Sequence, residues 1–185
     1  MKRENDTILI VDDEPHVISA LVRGLDDEPY LVVGAGNGFE ALRLMEKQRF
    51  KVVISDERMP EMDGAVFLSR VKVLYPETVR IMLTGHASVQ ATMRAVNSGE
   101  IYRFFIKPWD DTELKLAIRS ALEKYDLEQE NRRLLRTVHR QSQELRYLEK
   151  SYPGITELQR DARGAIRIDG ELSEEEIVEI IASCN

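Results

Sequence analysis

The sequence predicts a doubly wound α/β fold, a parallel five-stranded sheet with helices on both faces, continued by an extended helix and a small hairpin-plus-helix tail. Three observations carry that expectation. Five short apolar runs, rich in Val, Ile, Leu or Phe, are continuous rather than alternating, as in strands buried on both faces of a parallel sheet. The segments between and after them place apolar residues every three to four positions, the helical period. Strands alternating with helices in this way make right-handed crossovers, which distribute the helices over both faces.

The strands read Thr7–Val11, Tyr30–Ala35, Val52–Ser55, Arg80–Thr84 and the more aromatic Tyr102–Ile106. The first helix spans His16–Leu25, with Val17, Ile18, Leu21, Val22 and Leu25 on one face. Gly38–Gln48 carries Ala41, Leu42 and Met45, and Gly64–Leu74 carries Phe67, Leu68, Val71 and Leu74. Ser88–Asn97 carries Val89, Met93 and Val96, and Asp111–Leu122 carries Leu114, Ala117, Ile118, Ala121 and Leu122. Residues 1–124 therefore form one domain.

Beyond Tyr125 the texture changes. Asp126–Lys150 holds neither Gly nor Pro, and its apolar residues thin to a stripe of Leu127, Leu134, Val138, Leu145 and Leu148. In a heptad register Leu127, Leu134, Gln141 and Leu148 take d, and Asn131, Val138, Leu145 and Tyr152 take a. The expectation is an extended helix over 125–152, serving as a coiled-coil linker and homodimer seam through 127–152; a solvated single helix is the plainer alternative. Tyr152-Pro153-Gly154 stops it. Ile155–Asp161 and Ala165–Asp169 then alternate like a β-hairpin, and Ser173 with Glu176 forms a capping box before a helix over Glu174–Ser183. This module, 153–185, is too small to be comfortable alone and is expected to lean on a partner.

Composition narrows the function classes. The 185 residues carry a formal charge of −7, which argues against nucleic acid as the default partner. The tail from Ser151 holds eight acidic residues against three basic ones, and such a module repels phosphate backbones. The single cysteine, Cys184, excludes an intramolecular disulfide and CxxC metal sites. No apolar run approaches the ~20 residues that span a bilayer, and the first strand follows the N-terminus without a signal-peptide stretch, so a cytoplasmic protein is expected.

Ligands of open parallel sheets bind outside the carboxyl ends of the strands. Asp12, Asp13 and Glu14 follow the first strand, Asp56 the third, Thr84 and Gly85 the fourth, and Lys107 and Pro108 the fifth. Carboxylates gather at short range only where a cation holds them, and hard oxygens with room for water suit Mg2+.

These anchors are Asp12-Asp13-Glu14, then Asp56-Glu57-Arg58-Met59-Pro60-Glu61-Met62-Asp63-Gly64, then Thr84-Gly85, then Lys107-Pro108-Trp109. In that order they resemble the CheY-like receiver domain of bacterial response regulators, a flavodoxin-like fold, over about residues 6–124. The resemblance implies that Asp56 accepts a phosphoryl group from a phosphohistidine of a sensor histidine kinase or phosphotransfer protein. It implies Mg2+ held by Asp12, Asp13, Asp56 and the main-chain carbonyl of Arg58. Lys107 is expected to give the phosphoryl oxygens a second positive charge and Thr84 to donate its hydroxyl. Phe104 is expected at the switch aromatic position, and Lys107-Pro108 as a cis bond. The output is then a conformational change read by an unidentified downstream protein, without turnover of a substrate.

Plainer readings stand beside these. Asp12 and Asp13 also read as N-caps of the first helix, Thr84-Gly85 as a strand-end turn, Phe104 as core, His16 and His139 as surface, and Trp109 as a packed aromatic. Arg58 and His86 replace the small polar residues usual beside the water path that hydrolyses the phosphate, so they are expected to set its lifetime. Two other functions compete. A haloacid-dehalogenase-type phosphatase needs an acid two residues after its nucleophile, where this chain has Arg58, which cannot release a proton near neutral pH. A DNA-binding transcriptional regulator acting through the C-terminal region meets the acidic tail.

Overall fold

A computed structural model describes residues 6–85 and 101–151. The expected helix over Ser88–Asn97, His86 and the expected tail module 153–185 lie outside the described residues. The elements are β1 (Thr7–Val11), α1 (Pro15–Gly24), β2 (Leu31–Ala35), α2 (Gly38–Lys47), β3 (Val52–Asp56), α3 (Gly64–Leu74), β4 (Val79–Thr84), β5 (Arg103–Ile106) and α4 (Asp111–Ser151). The chain divides into two units, residues 1–133 and 134–185.

The strands lie parallel in the order β2-β1-β3-β4-β5. The chain winds outward from β1 to β2 and then returns to build β3, β4 and β5 on the other side. The crevice at the carboxyl ends of β1 and β3 is therefore the topological switch point, where this class of fold binds its ligands. Both sheet faces are covered. Ile8, Ile10, Val52, Ile54, Ile81 and Leu83 point to one face, where Leu21 of α1, Leu25 just past it, and Leu114, Ile118 and Leu122 of α4 bury them. Leu9, Val11, Val53 and Met82 point to the other, beneath Ala41 and Met45 of α2 and Phe67, Leu68 and Val71 of α3. Alternating side chains thus bury on opposite faces, and a strand with two covered faces reads as a continuous apolar run.

The element limits differ from the sequence reading by a residue or so at several ends. Two of these shifts have physical content. α1 starts at Pro15 rather than His16, because a proline in the first turn gives up an amide that no helical carbonyl would have met. β3 continues to Asp56, which pairs with Leu83 of β4, so the backbone of the acidic residue is held by the ladder itself.

α4 stays on the first unit past the expected limit at residue 124. Tyr125 is buried, and Lys51 Nζ lies 2.5 Å from Asp6 Oδ1 and 2.5 Å from Asp126 Oδ1. Arg119 grips Glu28 with two hydrogen bonds of 2.9 and 2.8 Å, and Arg132 reaches Glu77 at 2.7 Å. From residue 134 to 151 no residue of the helix is buried.

Tyr30 is fully buried, and its hydroxyl has no hydrogen-bond partner among the described residues. Burial, and then the charge of Glu28, push its pKa far up. A buried polar group without a partner costs its desolvation. Tyr30→Phe is expected to stabilise the protein by about 1 kcal/mol, read as a higher midpoint in denaturant with an unchanged slope.

Candidate functional site

The sheet register assembles the site. Val11 pairs with Ser55, Asp56 with Leu83, and Thr84 with Ile106, so Asp12, Asp56, Thr84 and Lys107 arrive at one edge. The Asp12 amide donates to the Ala35 carbonyl at 3.2 Å, carrying the sheet pairing one residue past β1, and the Lys107 amide donates to the Thr84 carbonyl at 2.8 Å. The peptide bond between Lys107 and Pro108 is cis, as expected.

Lys107 provides the cation that this acidic edge requires. Its ammonium lies 3.0 Å from Asp12 Oδ2 and also bonds Asp56 Oδ1. Asp12 is 1% exposed and Asp56 8%. Burial, the largest influence, raises the pKa of Asp12 against the opposing pull of the Glu14 amide and of Lys107. Burial alone would lower Lys107. The hydrogen bonds and charges of Asp56 and Asp12 together outweigh it, so the pKa of Lys107 is raised and the group stays an ammonium.

Asp12 does not cap α1. Its Oδ1 accepts from the Glu14 amide at 2.9 Å, which turns the chain before the helix, while the N-cap position is Glu14. Asp13 and Glu14 are exposed beside this turn, and Glu14 lies 3.3 Å from the His16 ring nitrogen. Asp56 Oδ2 accepts from the Arg58 amide at 2.7 Å, which orients the carboxylate. Phe104 is partly buried against the α2–α3 side of the core, with Met82 in the same cluster, while Phe105 is buried on the opposite face. Trp109 packs at the edge of the core and donates to Asp111 at 3.2 Å, a packed aromatic as expected.

Among the described residues no group of three or more His, Cys, Asp or Glu side chains is placed to hold a metal unaided. The donor set nevertheless fits Mg2+, which takes one or two carboxylates and keeps several waters. Asp12 and Asp56 present hard oxygens to one crevice, and Lys107 balances only one of their two charges.

Two residues to which the motif assigns no role also shape the site. Gly64 opens α3 directly against the end of β3, and a Cβ placed there would stand 1.8 Å from the Asp56 carbonyl oxygen. Glu57 accepts the Thr84 hydroxyl at 2.6 Å. Between them the loop makes a tight turn at Glu61, whose φ is 66°, with the Met62 amide donating to the Pro60 carbonyl at 2.7 Å. That turn buries Met59 and Met62. The glycine after Asp63 was the available signal for the close approach. Nothing in the sequence distinguished Glu57 from an ordinary surface acid.

Comparison with known proteins agrees with this geometry. Residues 8–119 match the family model of the response regulator receiver domain. The chain is 35% identical over 134 residues to the hydrogenase transcriptional regulatory protein HoxA of Cupriavidus necator, covering 72% of this chain and 28% of that protein. Its fold matches the crystal structure of adenylate cyclase from Rhodopirellula baltica with a TM-score of 0.69 at 34% identity, over 71% of this chain and 98% of that one. It also matches the signal receiver domain of an HD domain-containing protein from Pseudomonas fluorescens Pf-5 with a TM-score of 0.65 at 39% identity, over 70% and 96%. The chain spans about a quarter of the length of curated relatives such as HoxA. With more than half of its length matched by the family model and its acidic crevice built as described, the chain belongs to the response regulator receiver domain family of two-component systems.

Proposed function

We propose that this receiver takes a phosphoryl group on Asp56 from a phosphohistidine of a sensor histidine kinase or phosphotransfer protein. The observation that supports it best is the Lys107 ammonium bonded to both Asp12 and Asp56 at the switch-point crevice. The Arg58 amide fixes one oxygen of Asp56, leaving the carboxylate oriented for in-line attack on phosphorus. The new O–P bond forms as the N–P bond of the donor breaks, and the imidazole leaves. Lys107 then offsets charge on the phosphoryl oxygens, and Thr84 supplies a hydroxyl donor. Asp12, Asp13, Asp56 and the Arg58 carbonyl would hold Mg2+, which when bound supplies further positive charge to those oxygens. The domain works as a signalling device rather than a turnover enzyme, in the cytoplasm, with Phe104 and Thr84 moving on phosphorylation and a downstream protein reading the change. Arg58, whose side chain is exposed beside the crevice, sets the phosphate lifetime together with His86.

Acetyl phosphate tests this without a cognate kinase. The full chain with Mg2+ is expected to gain one phosphoryl group per molecule by intact mass, and none when the metal is chelated. Equal labelling in both conditions, or none in either, would end the proposal.

The same reading includes a homodimer through residues 127–152. Leu134, Val138 and Leu145 are each more than half exposed on α4, at seam positions of one heptad register, and Leu135 beside them widens the stripe. In a parallel, in-register pair Asn131 and Gln141 each meet their own copy, so each polar seam residue hydrogen-bonds its counterpart rather than burying unpaired. Leu134→Asp with Leu145→Asp is expected to convert a micromolar dimer to monomer in sedimentation, with the first unit folded; an unchanged dimer would exclude this seam. Transcriptional control, which the name of HoxA states of that protein, is the second reading for this chain. The acidic balance of residues 151–185 opposes direct contact of that segment with a phosphate backbone.

A further inference from the structure

Thr84 is fully buried, and its hydroxyl has one proton to give. Two acceptors compete for it. Glu57 Oε2 lies at 2.6 Å and the Gly85 carbonyl at 3.0 Å. The carboxylate is nearer and charged, and charge-assisted hydrogen bonds are roughly twice as strong as neutral ones. Glu57 is not free to follow a moving threonine. Its amide donates to the Leu83 carbonyl at 2.9 Å, and its carbonyl accepts from the Gly64 amide at 2.8 Å, so its backbone is pinned between β4 and α3. Its side chain lies next along the chain from the acceptor carboxylate.

We propose that Glu57 is a positioning residue that latches the Thr84 hydroxyl in the unphosphorylated state, so that a phosphoryl group on Asp56 has to take that hydroxyl from it. The proposal rests on Asp56 as the acceptor. An arriving phosphoryl group offers Thr84 a competing anionic acceptor and places its own negative charge near the Glu57 carboxylate. Breaking one hydrogen bond and making the other moves Thr84 from one discrete partner to the next, which gives the site two states. A ligand shifts two such states only by its differential interaction with them, and the latch lowers apparent affinity by holding the competent state at a minor population.

Beryllium trifluoride with Mg2+ is the probe, and Trp109, the single tryptophan of the chain, two residues after Lys107, is the fluorescent reporter. Glu57→Ala is expected to bind the probe about tenfold more tightly than wild type, since it frees a hydroxyl held by a charged acceptor. Glu57→Gln keeps an acceptor without the charge and is expected to fall between the two. The effect of Glu57→Ala is expected to shrink severalfold in a Thr84→Ala background, where no hydroxyl remains to be latched and only the direct repulsion between Glu57 and the probe is relieved. Tightening of equal size with and without Thr84 would mean bulk charge repulsion and overturn the latch, as would unchanged affinity in Glu57→Ala. If wild type gives no response to the probe by fluorescence or calorimetry, the assignment of Asp56 fails and the latch with it; a normal wild-type response that Glu57→Ala leaves unaltered defeats the latch alone.

Discussion

Asp56→Asn is expected to lose all labelling by acetyl phosphate while keeping the fold. An amide nitrogen cannot form an acyl phosphate, yet asparagine matches the carboxylate in shape. Its amide oxygen still accepts from the Arg58 amide, which lies 2.7 Å from Asp56 Oδ2. Lys107 loses one partner and retains Asp12 at 3.0 Å, and the repulsion between two buried carboxylates disappears. These changes oppose each other, so unfolding free energy is expected to stay within about 1 kcal/mol of wild type. Mass spectrometry on the reacted protein and a denaturant melt on the unreacted one check the two halves separately. Persistent labelling in the asparagine protein would move the acceptor elsewhere.

Gly64→Ala is expected to be the most destabilising small substitution in the crevice. Its Cβ would meet the Asp56 carbonyl oxygen at 1.8 Å and the Asp56 carbonyl carbon at 2.8 Å. No rotamer relieves a contact with backbone, and that backbone is held on the β4 side by the pairing of Asp56 with Leu83. The start of α3 must back away, which stretches the bond from the Gly64 amide to the Glu57 carbonyl, now 2.8 Å. A loss of about 3 kcal/mol or more is expected, on the overpacking scale, with a melting midpoint lower by about 10 °C. Because the shift pulls on the loop carrying Glu57 and Arg58, Mg2+-dependent labelling of the surviving folded protein is expected to slow as well. A wild-type melting curve would show that α3 does not sit this close to β3.

The sheet was legible because burial on both faces leaves an unambiguous mark: Ile8, Leu9, Ile10 and Val11 serve alternate faces, so none of them can be polar. Asp12, Asp56, Thr84 and Lys107 were legible for a topological reason, since each stands at or just past the end of a parallel strand. The contacts among them were not. That Lys107 bridges Asp12 and Asp56, that Asp12 turns the chain rather than capping α1, and that Glu57 holds Thr84 all depend on distances between segments remote in sequence. The extent of α4 followed from an unbroken run of good helix formers. Its grip on the sheet through Tyr125 and the Lys51–Asp126 pair did not, because Lys51 lies 75 residues earlier in the chain. Tyr30 was also hidden: a tyrosine beside a strand carries no mark of whether its hydroxyl finds a partner.

In this mechanism one particular carboxylate in an edge of several becomes phosphorylated. Asp12, Asp13, Asp56 and Glu57 all lie at this edge or directly beside it in the chain, so the identity of the acceptor decides between a receiver mechanism and adventitious phosphorylation. Borohydride reduction of the acetyl phosphate product converts an aspartyl phosphate to homoserine, and peptide mass spectrometry then locates it. Homoserine is expected at position 56 alone, dependent on Mg2+. Reduction products at Asp12, Asp13 or Glu57, or a spread over several acids, would contradict it.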